Sequence, residues 1–215
     1  MVLILHYNYL IFLTSANLLR NHSEKIYIHK NTYFLNMEIQ ISNFLELIKS
    51  RKSVRNFIFK KLTQQAIKEI LECGFALDEN INQPYRVNVV THPTVKMMLA
   101  EIMTQYADIY ETASCYLVVF LDLGRSVNRE SDILAIGAFV ENILLAVHAM
   151  PDLGAVWLRI DTDKKEKINQ IFKLSDEKYE LMGVIAIGAI NEEIESHKSG
   201  RQGKKRSVEG FTDWF

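Results

Sequence analysis

Arg51-Lys52-Ser53-Val54-Arg55-Asn56-Phe57 places three cations and a hydroxyl within five residues. It directly follows Ile41, Phe44, Leu45 and Ile48, which recur at helical spacing. Guanidinium forks bind oxyanions bidentately, and a helix end with a hydroxyl adds donors. Such a segment can hold a phosphate and keep a second arginine for a flat polar ring. The same composition also suits the solvated last turn of a helix, where cations meet the C-terminal dipole. What lies downstream, and at what distance, decides between the two.

Downstream, Thr63 is placed to cap a helix that carries Ala66, Ile67, Ile70 and Leu71 on one face and runs toward Leu77. After a polar turn, Arg86 to Thr91 alternates as a strand. Thr94 to about Ala107 reads as a helix, and Cys115 to Leu121 as a strand buried on both faces. Asp132 to Met150 is apolar nearly all round, interrupted by Glu141 and His148, and is stopped by Pro151-Asp152-Leu153-Gly154. Its surface, with Phe139 and Val140, is expected to pair with a symmetry mate. Glu141, a carboxylate in that apolar helix, needs a partner, expected from a cation or backbone donor across the interface. Ala155 to Ile160, Lys164 to Phe172 and Leu181 to Ile190 complete the pattern as strand, helix and strand. The predicted fold is α+β, helices around one central sheet. No G-x-G-x-x-G follows a strand and no G-x-x-x-x-G-K-[ST] occurs, which argues against dinucleotide and P-loop folds.

Composition narrows the function. The net charge of -1 invites neither nucleic acid nor an anionic membrane. Cys73 and Cys115 lie far apart in apolar contexts and read as buried free thiols of a reducing, cytoplasmic compartment. No His/Cys cluster has metal-ligand spacing, and His148 reads as a packed side chain. Val2 to Leu13 is too short and too polar to span a membrane. Residues 1–36 show no sustained period and read as an extension, either upstream sequence with Met37 the natural start or an arm that packs on a partner subunit, with 37–215 the domain. The tail ends on Phe211, Trp214 and Phe215, aromatics expected to dock on a partner.

Taken in order, these segments resemble the nitroreductase family of flavin mononucleotide (FMN) enzymes, from about residue 43 to the C-terminus. Phe44 to Arg55 is similar to the family's opening helix and R-R-S-x-R motif, and Asn82-Gln83-Pro84-Tyr85-Arg86 to its N-x-Q-P-W segment. Asp122-Leu123-Gly124-Arg125-Ser126 resembles a D-x-x-R-S stretch of smaller members. Ile136 to Ala146 resembles G-A-x-x-[QE]-N-[IL]-L-L-A, Leu153 to Leu158 resembles L-G-[TS]-x-W-[IL], and Lys205-Arg206 with Trp214 resembles the C-terminal signature.

The resemblance implies a three-layer sandwich with a mostly antiparallel sheet. It also implies an obligate homodimer with two FMN at the interface, each touched by both chains. NADH or NADPH would be the reductant, and nitroaromatics and quinones the common small-molecule acceptors. Arg51 and Ser53, with Lys205 and Arg206, would grip the phosphate and ribityl chain. Lys52 or Arg55 would place positive charge near the flavin N1–C2 carbonyl. Asn80, Asn82, Gln83 and Pro84 would meet the pyrimidine edge, and Gly154, Val156 and Trp157 would lay backbone against the ring. No side chain is assigned as acid, base or nucleophile, because the flavin carries the chemistry. Beside these roles stand plainer ones: Asn82-Gln83-Pro84 is also ordinary turn composition, Trp157 also a core residue, and Lys204-Lys205-Arg206 also a solvated tail.

One loop departs from the family pattern. Where A-P-S-x-x-N-x-Q-P-W is usual, the chain has Ala76-Leu77-Asp78-Glu79-Asn80-Ile81-Asn82-Gln83-Pro84-Tyr85. Leu77-Asp78-Glu79 puts negative charge near an anionic cofactor. The alternatives to an FMN oxidoreductase are therefore a flavin-independent binding or structural relative, and a specialised dehalogenating or flavin-fragmenting branch.

Overall fold

The computed structural model describes residues 43–76, 83–190, 207, 210, 212 and 213. Residues 43–50 form helix α1, and the division into two compact units, Met1–Lys49 and Ser50–Phe215, falls within it. The extension expected over residues 1–36, and the aromatics Phe211, Trp214 and Phe215, lie outside the described residues.

Helix α2 spans Gln64–Phe75. The Thr63 hydroxyl accepts from the Ala66 N–H at 3.1 Å, the cap its sequence position predicts. Ile67, Ile70 and Gly74 face inward, so Cys73 turns outward and is exposed, contrary to expectation. Cys115 is buried as expected, and burial pushes its thiol up to about 12. The helix stops at Phe75, two residues short of Leu77.

Among the described residues, four strands form one antiparallel sheet in the order β1-β2-β4-β3: β1 Tyr85–Val90, β2 Cys115–Asp122, β3 Leu153–Leu158 and β4 Tyr179–Ala189. Every residue of β2 is buried, which explains its unbroken apolar run. Strand β3 begins at Leu153 rather than Ala155. Asp152, at φ 57, turns the chain in the left-handed region that Asp tolerates, and its carbonyl accepts from the Ile190 N–H. Gly154 therefore lies in a strand and not in the turn.

Helices cover both faces. On one, α3 (Pro93–Ile102), α4 (Ala107–Thr112) and α6 (Lys165–Ile171) close a core around Val118, Phe120, Val184 and Ala186. The helix expected over 94–107 breaks at Met103. That residue is fully buried, and the Tyr110 hydroxyl donates to its sulfur at 2.7 Å. The break turns Ile109 and Tyr110 into the same core.

On the other face, α2 packs with α5, Arg129–Ala149. The Asn128 side chain caps α5 through the Ser131 N–H at 3.0 Å, so it begins three residues before Asp132. By length and composition α5 could cross a membrane, but Ile136, Phe139, Val140, Ile143 and Val147 are buried in the chain's own core. Phe139 and Val140 consequently do not lie on a partner-facing surface. Gly74 permits the close approach of α2: a Cβ there would stand 2.6 Å from Ile143 and 2.7 Å from Phe139.

Candidate functional site

The basic segment lies against one end of the sheet. The Val54 N–H donates to Ala155 O at 2.9 Å and the Ile58 N–H to Ala189 O at 2.8 Å. Val54 and Phe57 are buried, while Lys52, Ser53 and Arg55 are exposed. Two glycines make room for this. A Cβ on Gly154 would come within 2.7 Å of Val54, and one on Gly188 within 2.9 Å of Phe57. Gly154→Ala should therefore push Val54 off the sheet, costing about 1–3 kcal/mol as overpacking does. Chemical denaturation measures it, and an unchanged midpoint would show that the segment has slack.

Helix α5 ties the same segment down. Arg51 Nε meets Glu141 Oε1 at 3.0 Å, and Ser50 Oγ shares a hydrogen bond with His148 Nε2 at 3.0 Å. Glu141 and His148 are seven residues apart, two helical turns, and so share a face. The expected partner of Glu141 across an interface is thus replaced by one in its own chain, and its side chain is 47% exposed. Arg51 commits its Nε to Glu141, and the fork carries further donors on its terminal nitrogens.

His148 is held below its ordinary 6.5 by burial and by the Arg51 and Lys52 charges. The unfolded chain takes up a proton near that pH while the folded chain resists. Stability is therefore lost as pH falls through about 6.5. Denaturation midpoints on either side of that pH should differ more in the parent than in His148→Gln. Equal slopes would show that His148 does not titrate as placed.

The remaining predicted positions are spread out. Gln83 adopts φ 44, in the left-handed region, and leads into buried Pro84, whose carbonyl accepts from the Asp122 N–H at 2.8 Å. Val156 is buried in the core, whereas Trp157 is 43% exposed on edge strand β3. The Trp157 indole fills the space over Gly183, its Nε1 2.1 Å from where a Cβ would stand. Asn80, Asn82, Lys205 and Arg206, with Leu77-Asp78-Glu79, lie outside the described residues.

Within the chain, two parts of the predicted set stand apart. Val54 adjoins Ala155, which pairs with Ile187, while Tyr85 pairs with Leu121, which pairs with Glu180. Seven residues of β4, roughly 23 Å at ~3.3 Å each, separate those levels. Sequence reasoning missed the tether through Ser50, Glu141 and His148. The available signal was the pair of ionisable residues, seven apart, in the mostly apolar stretch that follows Asp132.

The sequence family described as "Putative TM nitroreductase" matches residues 43–214. The chain belongs to the nitroreductase family. No curated protein matches it. Among solved structures, this family member is 28% identical to a "putative nitroreductase in complex with FMN" from Desulfovibrio desulfuricans. The match covers 80% of this chain and 97% of that one, with a TM-score of 0.68. It is 26% identical to a Bacteroides thetaiotaomicron protein described as NADH dehydrogenase/NAD(P)H nitroreductase, over 80% and 96% of the two chains, with a TM-score of 0.66. An Exiguobacterium sibiricum nitroreductase-type structure, solved with FMN, shares the fold at 19% identity, over 80% and 97%, with a TM-score of 0.69.

Proposed function

We propose that this nitroreductase-family chain is an FMN-dependent oxidoreductase that takes hydride from NADH or NADPH and passes it to a small acceptor such as a nitroaromatic or a quinone. The observation that carries this reading is the docked basic segment. Its apolar residues are buried and Arg51 is oriented by Glu141, leaving Lys52, Ser53 and Arg55 exposed beside it. A phosphate dianion suits that edge, since charge-assisted bonds to pre-oriented donors are the strong ones. When bound, FMN supplies the redox chemistry. The chain grips the phosphate through Arg51 and Ser53 and balances charge at the ring through Lys52 or Arg55. Edge strand β3, with Gly154, Val156 and Trp157, lines the site.

A homodimer completes this site. The phosphate edge and Gln83-Pro84 stand at different ends of one sheet, so a cofactor gripped at Arg51 is met by the Gln83 segment of a second copy. Leu134 is 75% exposed on α5, Ala138 is exposed one turn on and Leu145 is half-buried, an apolar row on the same helix face as Glu141 and His148. An obligate interface of this kind buries roughly 2,000 Å² or more. The free thiols suit a reducing cytoplasm.

The test is direct. Purified protein should show the absorbance of bound flavin, which NADH or NADPH should bleach without oxygen. A colourless protein that ignores added FMN overturns the proposal. Leu134→Asp should sediment as monomer and lose flavin, and a variant that stays dimeric with full flavin removes this face from the interface.

A further inference from the structure

Away from the basic segment, where β1 and β4 begin and β2 ends, the chain forms a cleft of about 370 Å³. Arg86 lines it from β1, Asp122 from the end of β2, Arg125 from the turn that follows, Lys178 from just before β4 and Tyr179 from its start. Backbone bonds lock these three segments together. The Asp122 N–H donates to Pro84 O and the Leu123 N–H to Lys178 O, both at 2.8 Å. The Asp122 carboxylate fixes the turn itself, accepting from the Gly124 N–H at 3.0 Å and facing Arg125 Nε at 3.8 Å.

The charges do not balance within this frame. The Arg86 guanidinium carbon lies 5.5 Å from the Tyr179 ring centroid, and the Lys178 ammonium lies 5.2 Å from it. Two cations therefore share one aromatic ring, which attracts each of them while they repel each other. With Arg125 set against Asp122, Arg86 and Lys178 supply two further cations among the described lining residues, in a chain of net charge -1. A lone carboxylate ligand would neutralise only half of that excess. A dianion matches it, and a fork beside a point charge is a common phosphate geometry. The volume admits a small organic group behind the anion.

We infer that this cleft binds a phosphomonoester, with its dianionic head between Arg86 and Lys178, Arg125 at the rim and the Tyr179 ring beneath. Two sources carry that chemistry: the 2′-phosphate of NADPH, or a phosphorylated acceptor. Arg86 is three residues beyond Gln83, about 10 Å of extended chain, so a dinucleotide engaged at the proposed flavin ring can bring a remote phosphate here. That source alone rests on the flavin reading; the anion site does not.

The experiment titrates the full chain by calorimetry with inorganic phosphate, 2′,5′-ADP and 5′-ADP. An Arg51→Ala background silences the other phosphate edge. In that background 2′,5′-ADP should bind more tightly than 5′-ADP. Arg86→Ala/Lys178→Ala should weaken phosphate and 2′,5′-ADP about tenfold or more, as loss of charge-assisted bonds does. Arg86→Lys with Lys178 intact should recover part of the loss. Phosphate affinity that is undetectable, or equal with and without the double substitution, overturns the site. The ratio of kcat/KM for NADPH over NADH, measured with Arg51 present, then separates the sources. A fall of about tenfold in Arg86→Ala/Lys178→Ala assigns the phosphate to the reductant. A steady ratio with lost phosphate binding assigns it to the acceptor. A colourless protein would sink the flavin reading and leave the phosphate titration decisive.

Discussion

Phe139→Lys should unfold the protein, not divide it into monomers. Phe139 is fully buried, its ring 5.3 Å from Phe75 and 5.0 Å from Tyr85 between centroids, and it fills the gap that Gly74 leaves open. Truncating a buried aromatic costs about 3–5 kcal/mol before any charge is considered. An ammonium at that place would stand among the apolar residues of this core, which adds several kcal/mol more or forces the side chain out. Against a typical stability of about 5–15 kcal/mol, the sum removes most of the margin. Circular dichroism through a denaturant series should show a lost or severely shifted transition. A folded monomer with parental stability would return Phe139 to the partner-facing surface. Leu134→Asp is the contrasting variant, because it charges an exposed position on the same helix.

Arg51→Ala should lose about 1.5–3 kcal/mol of FMN affinity, the range for hydrogen bonds to a charged group, and leave riboflavin affinity unchanged. Its effect on folding should be small by comparison. Arg51 and Glu141 are 28% and 47% exposed, so the ion pair is screened, and removing it leaves Glu141 access to water. Fluorescence titration with each flavin, beside a denaturation curve, separates the two effects. Equal losses for FMN and riboflavin would mean that Arg51 shapes the site without touching the phosphate. Full FMN affinity would remove it from the site altogether.

Much of the fold was readable because period and capping chemistry agreed. The apolar run of β2, the alternation of β1 and the Thr63 cap each name one structure. Reading failed where tertiary packing outranked local pattern. Helical spacing continues past Met103, but its burial and the pull of Tyr110 bend the chain there. The apolar spacing carries α5 to Met150, but the helix ends at Ala149 and Asp152 turns the chain into β3. The all-round apolar character of α5 hid which face is covered. Only its packing on α2 through Gly74 shows that Phe139 and Val140 point inward and Leu134 outward. In the candidate site, residue types at Arg51 to Arg55 were legible because their chemistry is local. Their posture was not, because it depends on Ala155, Ala189, Glu141 and His148, all distant in sequence. The cleft beside Tyr179 was equally hidden, since its cations come from three separate segments.

The seven-residue spacing of Glu141 and His148 makes α5 a shared lever. The helix that steadies the proposed phosphate edge also carries Leu134 and Ala138, the exposed apolar positions of the proposed interface. Two equilibria that use one rigid rod are thermodynamically reciprocal: whatever factor the cofactor adds to self-association, self-association returns to the cofactor. Retention of colour then obeys mass action in protein as well as in flavin. On dilution the preparation should shed both together, and excess FMN should pull the pair back.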